Sequence, residues 1–340
     1  MRASFGSRLK SRGLWAWRRA SARYPKLAAV RRRLAAASVG PGRQPVAAPE
    51  EAGDGLNPAN IVWIFCVARS GSTWLASMMG EMGGTAVWKE PRVGHLFGEF
   101  YESNPKAKTE SANFIMGTPA RPAWISSIRH FVLTGARYAF PALGPEDLLV
   151  VKEPGGGVGA PFLMEALPES RMILLVRDPR DVVSSSLDAT REGSWQKEQR
   201  RAAGSGRKSL TAKRPDAVVK RSAKKYLRNM GRAREAFDAH RGPRSLVRYE
   251  DLLADTLGAM RRVYSDLGIE WDEDALARAV EKHSWEAIPE DMKGQGKFYR
   301  KASPGGWKED LSTSQIEIVE EISAPLLDEF YARSRRDPAG

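Results

Sequence analysis

The chain has 340 residues, 42% of them apolar, one cysteine and a formal charge of +13. That length suits one large α/β domain with an extension, or two small ones, and the lone Cys66 excludes an internal disulfide and fits a reducing, cytoplasmic setting. The charge is segregated: residues 1–50 hold 12 Arg and Lys against one acid and residues 191–234 hold 15 against three, so the remainder is acidic and a uniformly basic surface is excluded.

Residues 1–58 read as a basic extension that ends in a linker, Pro41-Gly42-Arg43-Gln44-Pro45 and Gly53-Asp54-Gly55-Leu56-Asn57-Pro58. Its apolar runs fall short of the ~18 residues of a membrane span. Trp15, Trp17, Tyr24, Leu27 and Leu34 among its arginines would let it rest on the anionic inner face of a membrane. Specific nucleic-acid binding is not expected, because no groove-reading motif accompanies the charge.

Residues 61–67, apolar with β-branched and aromatic members, predict a buried parallel strand. The polar turn Ala68-Arg69-Ser70-Gly71-Ser72-Thr73 follows, and residues 73–82 predict a helix. Strand, tight loop and helix aim several backbone N–H groups and a helix N-terminus at one spot, which suits a phosphate or sulfate. Residues 85–88 predict a short strand leading into Lys89-Glu90-Pro91-Arg92, and residues 123–138 a helix. A third strand over 148–151 runs into Lys152-Glu153-Pro154 and three glycines. A fourth, 172–176, runs into Arg177-Asp178-Pro179-Arg180-Asp181-Val182-Val183-Ser184-Ser185. A basic insertion near 191–216 reads as mobile. Beyond it come a helix over 217–240, a strand over 245–249 and helices near 256–267, 273–282 and 314–331. Alternating strands and helices predict a three-layer α/β sandwich around a central parallel sheet, with P-loop-like topology and ligands at the strands' carboxyl ends.

The first loop is not that of a nucleoside triphosphatase. Counting back from Gly71, the first glycine of that motif would be Cys66, and Ser72 stands where its lysine should be. Arg177 follows the 172–176 strand where a Walker-type aspartate is wanted. A magnesium-ATP site is therefore not expected, and a nucleotide kinase of related topology is the weaker alternative. A third reading is a non-catalytic protein that anchors on membranes or acidic polymers through residues 1–58 and 191–234.

Three motifs in order give the chain its resemblance. Arg69-Ser70-Gly71-Ser72-Thr73-Trp74, then Arg177 with Ser185 eight residues on, then Arg300-Lys301-Ala302-Ser303-Pro304-Gly305-Gly306-Trp307-Lys308 resemble the sulfotransferases that use 3′-phosphoadenosine-5′-phosphosulfate (PAPS). The likeness covers about residues 60–330 and implies a sulfotransferase domain over 59–335. Arg69 stands where the cytosolic enzymes carry lysine, as in the carbohydrate and tyrosylprotein branches, and Ala302 replaces a glycine. The resemblance implies that residues 69–74 hold the phosphosulfate, that Arg177, Ser185, Arg300 and Lys301 hold the 3′-phosphate, and that Trp74, Tyr249 and Trp285 contact the adenine.

The donor's charges demand two anion cradles, and arginine's fork suits a phosphate. Sulfuryl transfer also needs a base, for which Glu90 is the candidate: it lies 21 residues after Arg69, as the catalytic glutamate does in the tyrosylprotein branch. A carboxylate is a weak base near pH 7 unless burial raises its pKa, so a partly desolvated Glu90 is expected. Glu153 and His95 are its rivals. Lys152 is assigned to the bridging or sulfuryl oxygens, while Asp178, Asp181 and Asp188 read as caps or arginine partners. Fixed cations take a metal's place, and the expected acceptor is a hydroxyl on a glycan, glycolipid, protein or small molecule.

Overall fold

The computed structural model describes residues 55–189, 193–195, 198, 215–297, 299–301 and 303–331. The basic extension, most of the 191–216 insertion and Ala302 lie outside the described residues. β1 (Ile61–Cys66) is buried along its whole length, because parallel neighbours cover both its edges and helices cover both its faces. It pairs with β3 (Leu148–Pro154) and β4 (Arg171–Val176), while β2 (Thr85–Lys89) and β5 (Arg244–Arg248) close the outer edges. The order is β2-β3-β1-β4-β5, all parallel.

Alternation along the strands divides the core in two. Trp63, Phe65, Leu149, Val151, Leu174 and Val176 face one layer, where they meet α4 (Arg121–Ala139), α5 (Ala160–Ala166), α7 (Pro215–Ala239) and α12 (Thr313–Tyr331). Val62, Ile64, Cys66, Val150, Ile173 and Leu175 face the other, against α1 (Ser72–Met79), α9 (Thr256–Asp266) and α10 (Glu273–Lys282). The remaining helices are α2 (Val93–Glu102), α3 (Lys106–Thr109), α6 (Pro179–Asp188), α8 (Tyr249–Ala254) and α11 (Trp307–Asp310). Each large side chain buried in this way contributes about 1.5–3 kcal/mol. No helix among the described residues is long and apolar enough to cross a membrane.

Two boundaries differ from the sequence reading in ways that matter for the site. β3 continues through Lys152 and Glu153, whose backbones pair with Ile64 and Phe65, so both charged side chains spring from the sheet itself. Their opposite parity sends them to opposite faces. Tyr249 does not end β5; it opens α8, with its ring against Gly71 of the loop after β1.

Candidate active site

The loop after β1 turns on two left-handed residues, Arg69 at φ 75° and Gly71 at φ 86°. A Cβ on Gly71 would lie 2.6 Å from the Tyr249 ring, so only glycine lets loop and aromatic meet. Arg69 carries a side chain into this unfavourable region because its carbonyl accepts a 2.9 Å hydrogen bond from Arg177 Nη1. Its own Nε donates to Ser185 Oγ at 2.9 Å. The two expected cradles thus touch through two hydrogen bonds and form a continuous surface.

The electrostatics are those of an anion site. Burial, then the charges of Arg177 and Arg300, pull the Arg69 guanidinium down to about 10. Arg177 lies 4.2 Å over the Tyr249 ring, and Arg300 is held by Asp310, which Ser184 also engages, each at 2.8 Å. Lys301 turns to Glu309 and Asp310. Ser70 Oγ and Arg177 Nε are buried without a hydrogen-bond partner among the described residues, so the surface keeps polar groups that fit an anionic ligand. The three aspartates hold backbone here: Asp178 caps α6 and pairs with Arg180, Asp181 accepts from Gly305 and Trp307, and Asp188 accepts from Gly296.

Two of the three expected aromatic residues, Trp74 and Tyr249, meet beside the loop. Trp74 meets Tyr249 edge-on with centroids 6.3 Å apart, and its indole N–H donates to the His283 carbonyl at 2.7 Å. Trp285 follows two residues later, with the Lys293 ammonium 5.2 Å from its ring.

Lys152 extends toward α1, where its ammonium reaches Thr73 Oγ1 at 3.2 Å and Glu90 Oε1 at 2.7 Å. A polar line therefore runs from the loop after β1 to Glu90. The expectation of a desolvated Glu90 is corrected: its side chain is 47% exposed, because β2 is an edge strand whose end faces solvent. Desolvation falls instead on Glu153, 2% exposed on the other face, whose carboxyl burial pushes up to about 7 against backbone N–H bonds from Val93 and Arg92. His95 sits outward on α2, 3.8 Å from Glu99. Among the described residues no group of three or more His, Cys, Asp or Glu could hold a metal ion.

A family model described as the Sulfotransferase family matches residues 62–273. The chain belongs to the sulfotransferase family. Similar solved structures include sulfotransferase STF9 from Mycobacterium avium, 13% identical, with 80% of this chain and 77% of that one covered at a TM-score of 0.50. Another is mouse sulfotransferase SULT7A1 complexed with PAP, 12% identical, with 83% and 89% covered at a TM-score of 0.49. At such identities the likeness is one of fold. No curated protein matches the chain.

Sequence reasoning overlooked several residues of this sulfotransferase. Tyr226 of α7 donates its hydroxyl to the Arg177 carbonyl at 2.8 Å, and Glu250 accepts from Asp178 N and Tyr331 Oη, each at 3.0 Å. Trp195 places its ring 5.8 Å from the Arg69 guanidinium, and neighbouring Ser194 is fully buried. That part of the basic insertion is packed, contrary to the reading of the stretch as mobile. One tryptophan inside a low-hydrophobicity run was the available signal. Ser72, where a kinase's lysine would stand, begins α1 and hydrogen-bonds Cys66.

Proposed function

We propose that the sulfotransferase takes PAPS as its donor, with the phosphosulfate on residues 69–74, the 3′-phosphate on Arg177, Ser185, Arg300 and Lys301, and the adenine against Trp74, Tyr249 and Trp285. The observation that carries this reading is the 2.9 Å bond from Arg69 to Ser185, which brings the two sets of candidate anion-binding side chains onto one surface, as a donor anionic at both ends requires. Glu90 takes the proton of the acceptor hydroxyl as its oxygen bonds to sulfur. The bond from sulfur to the 5′-phosphate oxygen breaks, and the leaving phosphate keeps the electron pair beside Arg69 and the loop amides. Lys152, between Thr73 and Glu90, supplies charge to the transferring oxygens, and fixed cations stand in for a metal.

The acceptor is a hydroxyl of a glycan, glycolipid or protein, and the surroundings of Glu90 favour an acidic one. Arg228 and Arg232 of α7 pair with Glu99 and Glu102 of α2. One turn nearer the site Lys225 has no acidic partner among the described residues, and its ammonium lies beside Gly155. Lys89 and Arg92 are exposed next to Glu90. Residues 1–58 add peripheral contact with an anionic membrane, which liposome co-sedimentation of the chain with and without them measures.

The first test is thermal stabilisation by 3′-phosphoadenosine-5′-phosphate (PAP) against ATP with magnesium, where a preference for the latter would overturn the donor assignment. Turnover of Glu90→Gln with labelled donor follows. Wild-type turnover there would remove Glu90 as the base. A screen pairing acidic with neutral hydroxyl acceptors reads out the acceptor class.

A further inference from the structure

Glu153, buried at 2% exposure beside the site, has no part in the transfer as derived, yet it touches the segment that carries Glu90. α2 begins without a cap of its own: Arg92 is its N-cap residue, left-handed at φ 65°, and its side chain makes no capping bond. The first N–H groups of a helix need an acceptor when buried. Here it comes from another strand: Glu153 Oε1 accepts the Val93 N–H at 3.0 Å, and the Arg92 N–H also bonds this carboxylate. The negative charge also suits the positive end of α2.

Gly156 makes the room, since a Cβ there would sit 2.4 Å from Glu153 Oε2. On the near side of Pro91, the Glu90 N–H donates to the Lys152 carbonyl at 2.9 Å. Adjacent residues of β3 therefore grip the turn at both ends, one through backbone and one through side chain. Between the grips, Glu90 at φ 58° and Arg92 at φ 65° both hold a left-handed conformation that costs an L-residue about 1–2 kcal/mol. Such strain persists where the surroundings over-determine it.

We infer that Glu153 is a positioning residue: it caps α2 across the sheet and holds the 89–93 turn in the strained form that aims the Glu90 carboxylate past Lys152 at the acceptor. This rests on the reading of Glu90 as the base. Glu153 touches neither donor nor acceptor, so its loss displaces the base and leaves the donor site intact.

The test compares Glu153→Ala, Glu153→Gln and Glu90→Gln for turnover, for PAP-induced thermal shift and for amide exchange in residues 90–97. Loss of the cap lowers kcat in Glu153→Ala about 10- to 100-fold, as a misplacement near 1 Å does. The PAP shift stays at the wild-type value, and exchange at Arg92 and Val93 accelerates. Glu153→Gln keeps one acceptor oxygen and retains turnover within about fivefold. The charged groups around Glu153 are Glu90 and Arg92 of the turn, Lys152 of its own strand and Lys225 of α7, and the neutral thiol of Cys66 on β1 is the other titratable neighbour. Protonating Glu153 leaves one acceptor oxygen, as Glu153→Gln does, so wild-type turnover falls by no more than about fivefold as pH drops below about 7, and Glu153→Gln lessens that fall.

Wild-type kcat and exchange in Glu153→Ala overturn the inference. So does Glu153→Gln being inactive while Glu90→Gln turns over, which would make Glu153 the base. Full turnover in Glu90→Gln alone would defeat the base assignment on its own terms, so the two failures are distinguishable. Should Glu153→Ala not fold, the pH profile and amide exchange of Glu153→Gln still decide.

Discussion

Gly71→Ala probes the anion loop without touching a charge. Gly71 is left-handed at φ 86°, and a new methyl group would lie 2.6 and 2.8 Å from two atoms of the Tyr249 ring. The backbone conformation costs alanine about 1–2 kcal/mol, and relieving the clash adds about 1–3 kcal/mol of overpacking strain. The ring has little freedom, since Arg177 lies 4.2 Å over it and Trp74 meets its edge. A total near 2–5 kcal/mol, at roughly 2 °C per kcal/mol, lowers Tm by about 4–10 °C for a domain of this size. Differential scanning calorimetry measures that drop, and titration with PAP measures the accompanying loss of affinity as Tyr249 and Arg177 shift. Gly231 is the control: it lies in α7 with open space around a Cβ, so Gly231→Ala raises stability by about 0.5–1 kcal/mol. Wild-type Tm and PAP affinity in Gly71→Ala would show that the ring does not abut the loop, and the proposed adenine contact would go with it.

Ser185→Ala removes the hydroxyl that Arg69 reaches, a charge-assisted bond of about 1.5 kcal/mol, so PAP binding by calorimetry should weaken roughly tenfold. An unchanged Kd would make Ser185 a spectator. Because the Glu153 carboxyl is raised to about 7 from 4.5, the folded protein binds that proton more readily than the unfolded chain. Its burial penalty is therefore full above about pH 7 and is relieved as pH falls toward 4.5. Glu153→Gln should accordingly gain stability over wild type more at pH 8 than at pH 5 in urea titrations, and a pH-independent difference would refute the assignment. Stability and turnover then respond to this proton in opposite directions. Cys66 is buried and its thiol is pushed up to about 12, so alkylation at pH 8 should label unfolded but not folded protein by mass spectrometry.

Most of the fold was legible because the strands are buried on both faces and read as unbroken apolar runs. β1 and β4 appear in the sequence nearly at their observed limits for that reason. The tight turn after β1 was legible too, since a glycine between a buried strand and a helix marks a left-handed backbone, and Gly71 is observed at φ 86°. The end of β3 was not: pattern reading stops a strand at the first charge, whereas backbone pairing continues wherever a neighbouring strand supplies partners. Tyr249 was assigned to the wrong element, and Trp195 was passed over in a run whose composition spoke only of solvent.

The sequence by itself determined the residue types on offer, two sets of candidate anion-binding residues and a short choice of acids, because those depend on composition and spacing near strand ends. Which acid meets water and which is sealed away was decided only by tertiary structure. β2 lies at the sheet's edge and leaves Glu90 open beside Lys152. β3 lies inside, and pleating turns Glu153 to the opposite face, under α2. Solvation of a carboxylate depends on neighbours distant in the chain, and that is information no local pattern carries.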